Sequence, residues 1–398
     1  MNRSLSTLLD RFAEPETLKM AKLGRELRAQ GIDVIDLSLG EPDFDTPMHI
    51  KEAAKKAIDD NFSHYTPVAG YLDLREAVCT KLKRDNNLDY KPDQIVVSTG
   101  AKQSLANIIL SVVDVGDEVI IPAPFWVTYS ELVKIAGGIP VILTTRIENG
   151  FKLTAAELEQ AITPQTRLFL FSSPCNPSGA VYNREELQQL AAVFERYPQI
   201  YIISDEIYEY INFVGKHESI ASFEAVKDQV IIVNGLSKGF AMTGYRLGYI
   251  AAAVEVARAC EKIQGQFTSG ANAVTQRAAI TALTADLTPT YQMANEFARR
   301  RQRVLQLVSE IPGWTCTEPD GAFYVFPNVR AYFGTGNEQQ RIDNADDLCM
   351  YLLNTAHVST VTGRAFGTPQ CIRLSFANSL EKIETAFARM KDALARLS

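Results

Sequence analysis

Between about residues 65 and 255 the chain repeats one pattern, in which a short β-branched, apolar run is followed by a stretch of helical period. The runs are 94–98 (QIVVS), 117–121 (DEVII), 167–171 (RLFLF), 200–204 (IYIIS) and 229–233 (QVIIV). Each is apolar at consecutive positions, and so on both faces, which suits a strand covered by helices on both sides of its sheet. The segments between them can supply those helices. In 183–194 apolar residues recur at helical spacing behind Asn183, a residue that can cap a helix start. Strand and helix in alternation predict an α/β fold with a mostly parallel, doubly wound sheet.

After about residue 285 the pattern changes. A long charged helix is predicted over 291–309, then isolated strands at 322–326 and 371–376 and a closing amphipathic helix over 380–397. The first residues, a helix around 18–30 and a strand-like 33–39, also stand outside the alternation. The expected organisation is therefore an N-terminal arm and part of a smaller domain (1–46), a large domain (47–284) and the rest of a smaller α+β domain (285–398) built from both termini. The sequence shows neither an internal repeat nor a low-complexity linker.

Its 398 residues are enough for two or three domains. With 40 Lys and Arg against 47 Asp and Glu, the formal charge is −7, which excludes the basic field that nucleic-acid binding needs. Six scattered cysteines without a C-x-x-C pair, and four separated histidines, point to free thiols in a reducing compartment and to no metal site. The N-terminus lacks a secretory h-region, and no apolar stretch approaches the roughly 18 residues of a membrane helix. The expectation is a cytoplasmic protein with no membrane partner.

In an open parallel sheet ligands bind beyond the carboxyl ends of the strands. After 167–171 comes SSPCNPSG, which delivers Asn176 in a proline-braced turn. After 200–204 come Asp205 and Tyr208, and after 229–234 comes GLSKGFAMTGYR, with Ser237, Lys238 and Arg246. Taken singly these have ordinary readings as turn formers, caps or solvated charges. Together they bring an amide, an acid, a phenol, a lysine and an arginine to one crevice.

With 38–47 (SLGEPDFDTP), 65–70 (YTPVAG), 98–103 (STGAKQ), 176–179 (NPSG), 204–208 (SDEIY), 237–246 (SKGFAMTGYR) and 373–376 (RLSF) in this order and spacing, the chain resembles the fold-type I pyridoxal-phosphate enzymes, specifically the class I aminotransferases of the bacterial aspartate aminotransferase branch. That resemblance implies pyridoxal 5'-phosphate as cofactor and a ping-pong exchange of an amino group between an L-amino acid and a 2-oxo acid. Lys238 would hold the cofactor covalently and then shuttle a proton between Cα and C4′. Asp205 would face the pyridine nitrogen, and Asn176 and Tyr208 the ring's phenolic oxygen. Arg246, Ser237 and the amides of Gly100, Ala101 and Lys102 would bind the phosphate, and Trp126 would stack on the ring. Tyr65 would reach the cofactor of a neighbouring subunit, implying a homodimer with shared sites.

Arg373 stands within an apolar run, where an unpaired charge is costly, and an incoming substrate α-carboxylate would relieve it. By the same resemblance Gly40 gives the substrate close access to the backbone, Lys102 binds a distal carboxylate, Thr17 closes over the substrate and Phe366 lines its pocket. These expectations favour aspartate or glutamate with 2-oxoglutarate or oxaloacetate. Arg364, with Glu14 and Glu16 in the N-terminal segment, departs from the family pattern and is either a second carboxylate ligand or a rim charge. Aromatic, prephenate or kynurenine aminotransferases share the scaffold. A more distant alternative is an α/β-hydrolase, because 235–239 (GLSKG) matches the nucleophile elbow with Ser237 as nucleophile; His357 is the only histidine downstream.

Overall fold

A computed structural model describes residues 5–14, 16–337 and 340–398, the side chains of Thr17 and Leu18 excepted. The N-terminal arm runs through a helix, Glu16–Ala29, into the two-residue strand β1 (Ile35–Asp36). The large sheet follows: β2 (Ile95–Ser98), β3 (Glu118–Ala123), β4 (Ile139–Thr144), β5 (Thr166–Ser172), β6 (Tyr201–Asp205), β7 (Val230–Gly235) and β8 (Gly248–Ala251). Their spatial order is β2-β8-β7-β6-β5-β3-β4.

The five runs legible in the sequence are β2, β3, β5, β6 and β7, and their alternation places the core on both faces. Phe169 and Phe171 enter one hydrophobic cluster, whereas Leu168 and Leu170 enter the other, as a side-chain period of two requires. The helix Arg184–Phe194 starts at the expected cap: the Asn183 side chain accepts from Glu186 N at 2.9 Å, and Glu186 Oε2 accepts from Asn183 N at 2.8 Å. Such a capping box satisfies donors that no helical carbonyl can reach.

The sheet is parallel through β4, β3, β5, β6 and β7, but β8 runs antiparallel to both β7 and β2. This reversal positions the site. The carboxyl ends of β2, β5, β6 and β7 lie at one edge of the sheet, and the amino end of β8 joins them. Arg246, two residues before β8, is thereby brought beside Lys238, three residues after β7.

A third cluster packs the long helix Thr288–Ser309 against the C-terminal helix Leu380–Leu394. It takes in the short strands β9 (Tyr324–Val325), β10 (Val358–Ser359) and β12 (Ile372–Ser375), while Val361 of β11 (Val361–Thr362) joins a smaller cluster with Phe326 and Phe366. Here β12 pairs antiparallel with β9 and β11, while β1 pairs in parallel with β10. Backbone bonds from Leu37 N to Ser359 O (2.9 Å) and from Ser375 N to Leu37 O (2.8 Å) continue that join. The chain's start is thus knitted into its end, facing the active edge of the large sheet.

Candidate active site

A cavity of about 360 Å³ opens at this edge. The large sheet contributes Ser172, Asp205, Ser237 and Lys238 to its wall; Ser38, Gly40, Tyr324 and Arg373 close the other side.

Asp205 ends β6 and is 3% exposed. Its Oδ2 accepts from the Tyr129 hydroxyl at 2.6 Å and its Oδ1 from Ile207 N at 3.2 Å. Burial pushes the carboxyl up to about 6, with the Tyr129 bond opposing the rise. Lys238 follows β7 and donates to the Gly40 carbonyl. Burial, then the nearby Arg373 and Arg246 cations, lower its ammonium to about 8, so about a tenth of this amine is free at pH 7 and about half at pH 8, far more than for an ordinary lysine.

Arg373 is the most exacting charge in the cavity. It is 2% exposed, with Nη1 donating to Asn176 Oδ1 at 2.9 Å and Nη2 to the Ser38 carbonyl at 2.5 Å. The guanidinium lies 4.5 Å from the Tyr324 ring centroid and 5.0 Å from that of Phe366. Its Nε has no partner, and no carboxylate pairs with it among the described residues. A buried cation held only by neutral groups calls for an anion from outside the protein.

A second anion-seeking corner lies around Gly100. There the backbone turns with φ +85° into the helix Ala101–Val112, whose first amides have no intrahelical acceptor. A Cβ on Gly100 would come 2.6 Å from Arg246 Nη2, so only glycine lets the guanidinium lie over that helix start. Arg246 itself has φ +57°, a left-handed conformation that is uncommon outside glycine, and donates Nη1 to the Thr243 carbonyl at 3.0 Å. Ser237 lines the same cavity, and helix start, hydroxyl and guanidinium together form a cradle for a phosphate.

Ala101, Lys102 and Trp126 also line the cavity. The Lys102 ammonium sits 5.0 Å from the Trp126 ring centroid and has no acidic partner among the described residues. Tyr208 is buried with its hydroxyl 2.8 Å from that of Tyr324; burial, then Tyr324, raises its phenol far above the ordinary value and keeps it a proton donor. Asn176 accepts from Arg373, which leaves its NH₂ group without a protein acceptor among the described residues. A Cβ on Gly40 would meet the Tyr324 hydroxyl at 2.7 Å, so this residue also admits a protein group as close neighbour.

Some expected residues lie elsewhere. Phe366 is fully buried, edge-on to Phe326 at 5.9 Å and beneath Arg373. It supports the guanidinium and does not line the pocket, because the turn Gly363–Phe366 packs its ring inward. Tyr65 is fully exposed and away from the cavity of its own chain. Thr17 falls in the helix Glu16–Ala29, and its side chain lies outside the described residues. Arg364 does not line the cavity; it is exposed and paired with Asp346 at 2.6 Å and Glu16 at 3.5 Å. Sequence reasoning missed Tyr129, Tyr324 and Arg25, all in the cavity wall. No histidine lines the cavity among the described residues, so Ser237 has no imidazole base there, as the hydrolase reading required.

The sequence profile of the family described as aminotransferase class I and II matches residues 32–390. The chain belongs to the class I and II aminotransferases. This aminotransferase is 44% identical to a bifunctional aspartate aminotransferase and glutamate/aspartate-prephenate aminotransferase of Petunia hybrida, over 98% of the chain and 83% of that protein. It is 42% identical to an aspartate/prephenate aminotransferase of Nitrosomonas europaea, over 98% and 99%. The solved aspartate aminotransferase of Rhizobium meliloti superposes with a TM-score of 0.96 at 38% identity, covering the whole of both chains. The fold is that of fold-type I enzymes, and the activity is pyridoxal-phosphate-dependent transamination. The cavity fits that cofactor: it offers a free amine for an aldehyde carbon, a buried carboxylate for a ring nitrogen and a cationic cradle for a phosphate.

Proposed function

We propose that this aminotransferase uses aspartate or glutamate as amino donor and the corresponding 2-oxo acids as acceptors. The observation that supports this reading is a pair of unpaired cations in one cavity, Arg373 and Lys102. Arg373 suits the α-carboxylate common to every substrate, since a planar fork binds two oxygens at once; Lys102 then serves the distal carboxylate. If so, Lys102→Ala raises KM for aspartate by about tenfold, the worth of about 1.4 kcal/mol, and leaves KM for phenylalanine within about twofold. Equal effects on both donors would sink the assignment.

In this reading Arg246, Ser237 and the first amides after Gly100 hold the cofactor phosphate, Trp126 covers the ring, and Lys238 binds the aldehyde carbon. Bound there, the cofactor supplies a cationic ring that absorbs the electron pair left when the substrate Cα loses its proton. Asp205 holds its negative charge at the ring nitrogen and keeps a proton on that atom. Tyr208 and Asn176 donate to the phenolic oxygen. Lys238 Nζ, once freed, would take the proton from the substrate Cα and deliver it to the cofactor's former aldehyde carbon, on the far side of the nitrogen that joins them. Arg373 and Gly40 orient the substrate for that transfer, with Thr17 closing from the arm.

We take 47–284 as the cofactor-binding unit, with 1–46 and 285–398 forming the smaller one. Tyr65, remote from its own chain's cavity, is assigned to the site of a second subunit in a homodimer. Six free cysteines suit a reducing, cytoplasmic setting, and no helix among the described residues is long and apolar enough to cross a membrane. Prephenate as amino acceptor is the second reading, favoured by the names of the Petunia and Nitrosomonas relatives. A panel of aspartate, glutamate, phenylalanine and arogenate as donors to 2-oxoglutarate separates the two: the first reading requires the dicarboxylates to lead in kcat/KM, the second arogenate.

A further inference from the structure

A second carboxylate stands directly behind Asp205. Glu206 is fully buried, and its Oε1 accepts from the hydroxyls of Ser204 (2.9 Å) and Ser219 (2.6 Å). Its Oε2 has no hydrogen-bond donor among the described residues, but lies 3.1 Å from Nε2 of His217, off the line of a hydrogen bond. Neither ring nitrogen of His217 has a hydrogen-bond partner there, although the residue is 8% exposed. A neutral imidazole would leave a buried carboxylate next to Asp205 without compensation, which is the costly arrangement for two acids in an apolar interior.

Glu209 joins Glu206 and His217 in one buried cluster of potential metal ligands, yet its oxygens are already used. Lys81 donates to Glu209, as do Asn234 Nδ2 (2.9 Å) and Asn86 Nδ2 (3.1 Å). Lys81, buried beside Glu209 and 3.9 Å from Asp85 Oδ2, already supplies a cation there, so the cluster is a network of acids and bases.

We propose that His217 is a positioning residue: as an imidazolium it cancels the charge on Glu206, and this lets Asp205 keep its own negative charge at the cofactor nitrogen. The proposal rests on the reading of Asp205 given above. Glu206 and Glu209 draw His217 upward from its ordinary value, against burial and the Lys81 cation. Burial opposes ionisation of Glu206, but His217 and the two hydroxyls hold it below the usual carboxylate range. Glu206 in turn pushes Asp205 up. The cavity that His217 borders, about 810 Å³, also holds Arg84, Asp85, Lys216, Asp286 and the phenols of Tyr210 and Tyr291, so His217 has a route to solvent.

Two measurements test this. In holoenzyme labelled with ¹⁵N-histidine, an imidazolium signal that persists above the ordinary histidine value of about 6.5 is expected, and it should vanish in His217→Gln; a His217 already neutral there overturns the proposal. In titrations of apoprotein with pyridoxal phosphate at about pH 5, below the value of about 6 at Asp205, His217→Gln should raise Kd about tenfold, the worth of one pKa unit at Asp205, and Glu206→Gln/His217→Gln should restore it to within about twofold. A loss that the second substitution does not restore overturns the proposal. Asp205→Asn is the reference: if it raises Kd while His217→Gln does not, only the role of His217 fails; if neither raises it, the role of Asp205 fails as well.

Discussion

Two groups of charges flank Asp205, one buried and one lining an open cavity, and they are built oppositely. Behind it each acid has a basic neighbour, Glu206 with His217 at 3.1 Å, Glu209 with Lys81, and Asp85, 3.9 Å from Lys81, with Arg84 at 2.6 Å, so the set is closed. In front, Arg373, Arg246, Lys102 and Lys238 share a cavity, and none of the four pairs with a carboxylate among the described residues. A closed set supports the fold and sets the local field, whereas an open set waits for charge from outside, which a phosphorylated cofactor and acidic substrates bring.

The strongest break of the open set is Lys238→Ala, for which transamination should fall by roughly 10⁴-fold or more, since nucleophile and proton carrier go together. Steady-state turnover of aspartate checks this. Asp205→Asn should cost roughly 10²–10³ in kcat, as removing one preorganised charge does, with KM changing far less.

Stability compares the two sets directly. Lys81→Met leaves Glu209 buried and uncompensated and should destabilise the apoprotein by about 3–5 kcal/mol. Arg373→Met removes a cation that has no counter-charge until ligand binds, so the apoprotein should lose much less, under about 1 kcal/mol, or gain. Urea denaturation of the two variants ranks them; the reverse order would erase the distinction between open and closed sets.

The smallest effect is that of pH. Because Lys238 titrates near 8, its neutral, reactive amine becomes scarcer as pH falls below that value. The rate at which apoprotein captures pyridoxal phosphate should drop by about tenfold per unit below pH 8 and level off above it. Stopped-flow absorbance checks this, and a flat profile between about pH 6 and 8 would contradict the lowered value.

The contrast also explains what could be read from the amino acids alone. Five strands were legible because helices cover both faces, which forces consecutive apolar residues. β4 was not, since this edge strand is largely exposed and Pro140 interrupts it; nor was β8, whose four residues include Gly248 and Ala251. In the cavity, Lys238, Asp205, Asn176 and Arg246 follow or precede strand ends, so their positions report their purpose. Tyr129 lies inside a helix and Tyr324 in a two-residue strand, where nothing local separates them from core aromatics; only the hydroxyl contacts made by the fold do so. Phe366 shows the converse, a residue whose sequence neighbourhood pointed to the pocket while packing turned its ring beneath Arg373. The closed set left no local trace, for Lys81 and His217 belong to a helix and a loop far apart in sequence.

The most direct measurement is borohydride reduction of the holoprotein followed by peptide mass spectrometry. A pyridoxyl adduct is expected on Lys238, in wild-type protein and in Asp205→Asn alike. An adduct on another lysine, or none in protein saturated with pyridoxal phosphate, would contradict the assignment of this cavity as the place where the amine and the cofactor meet.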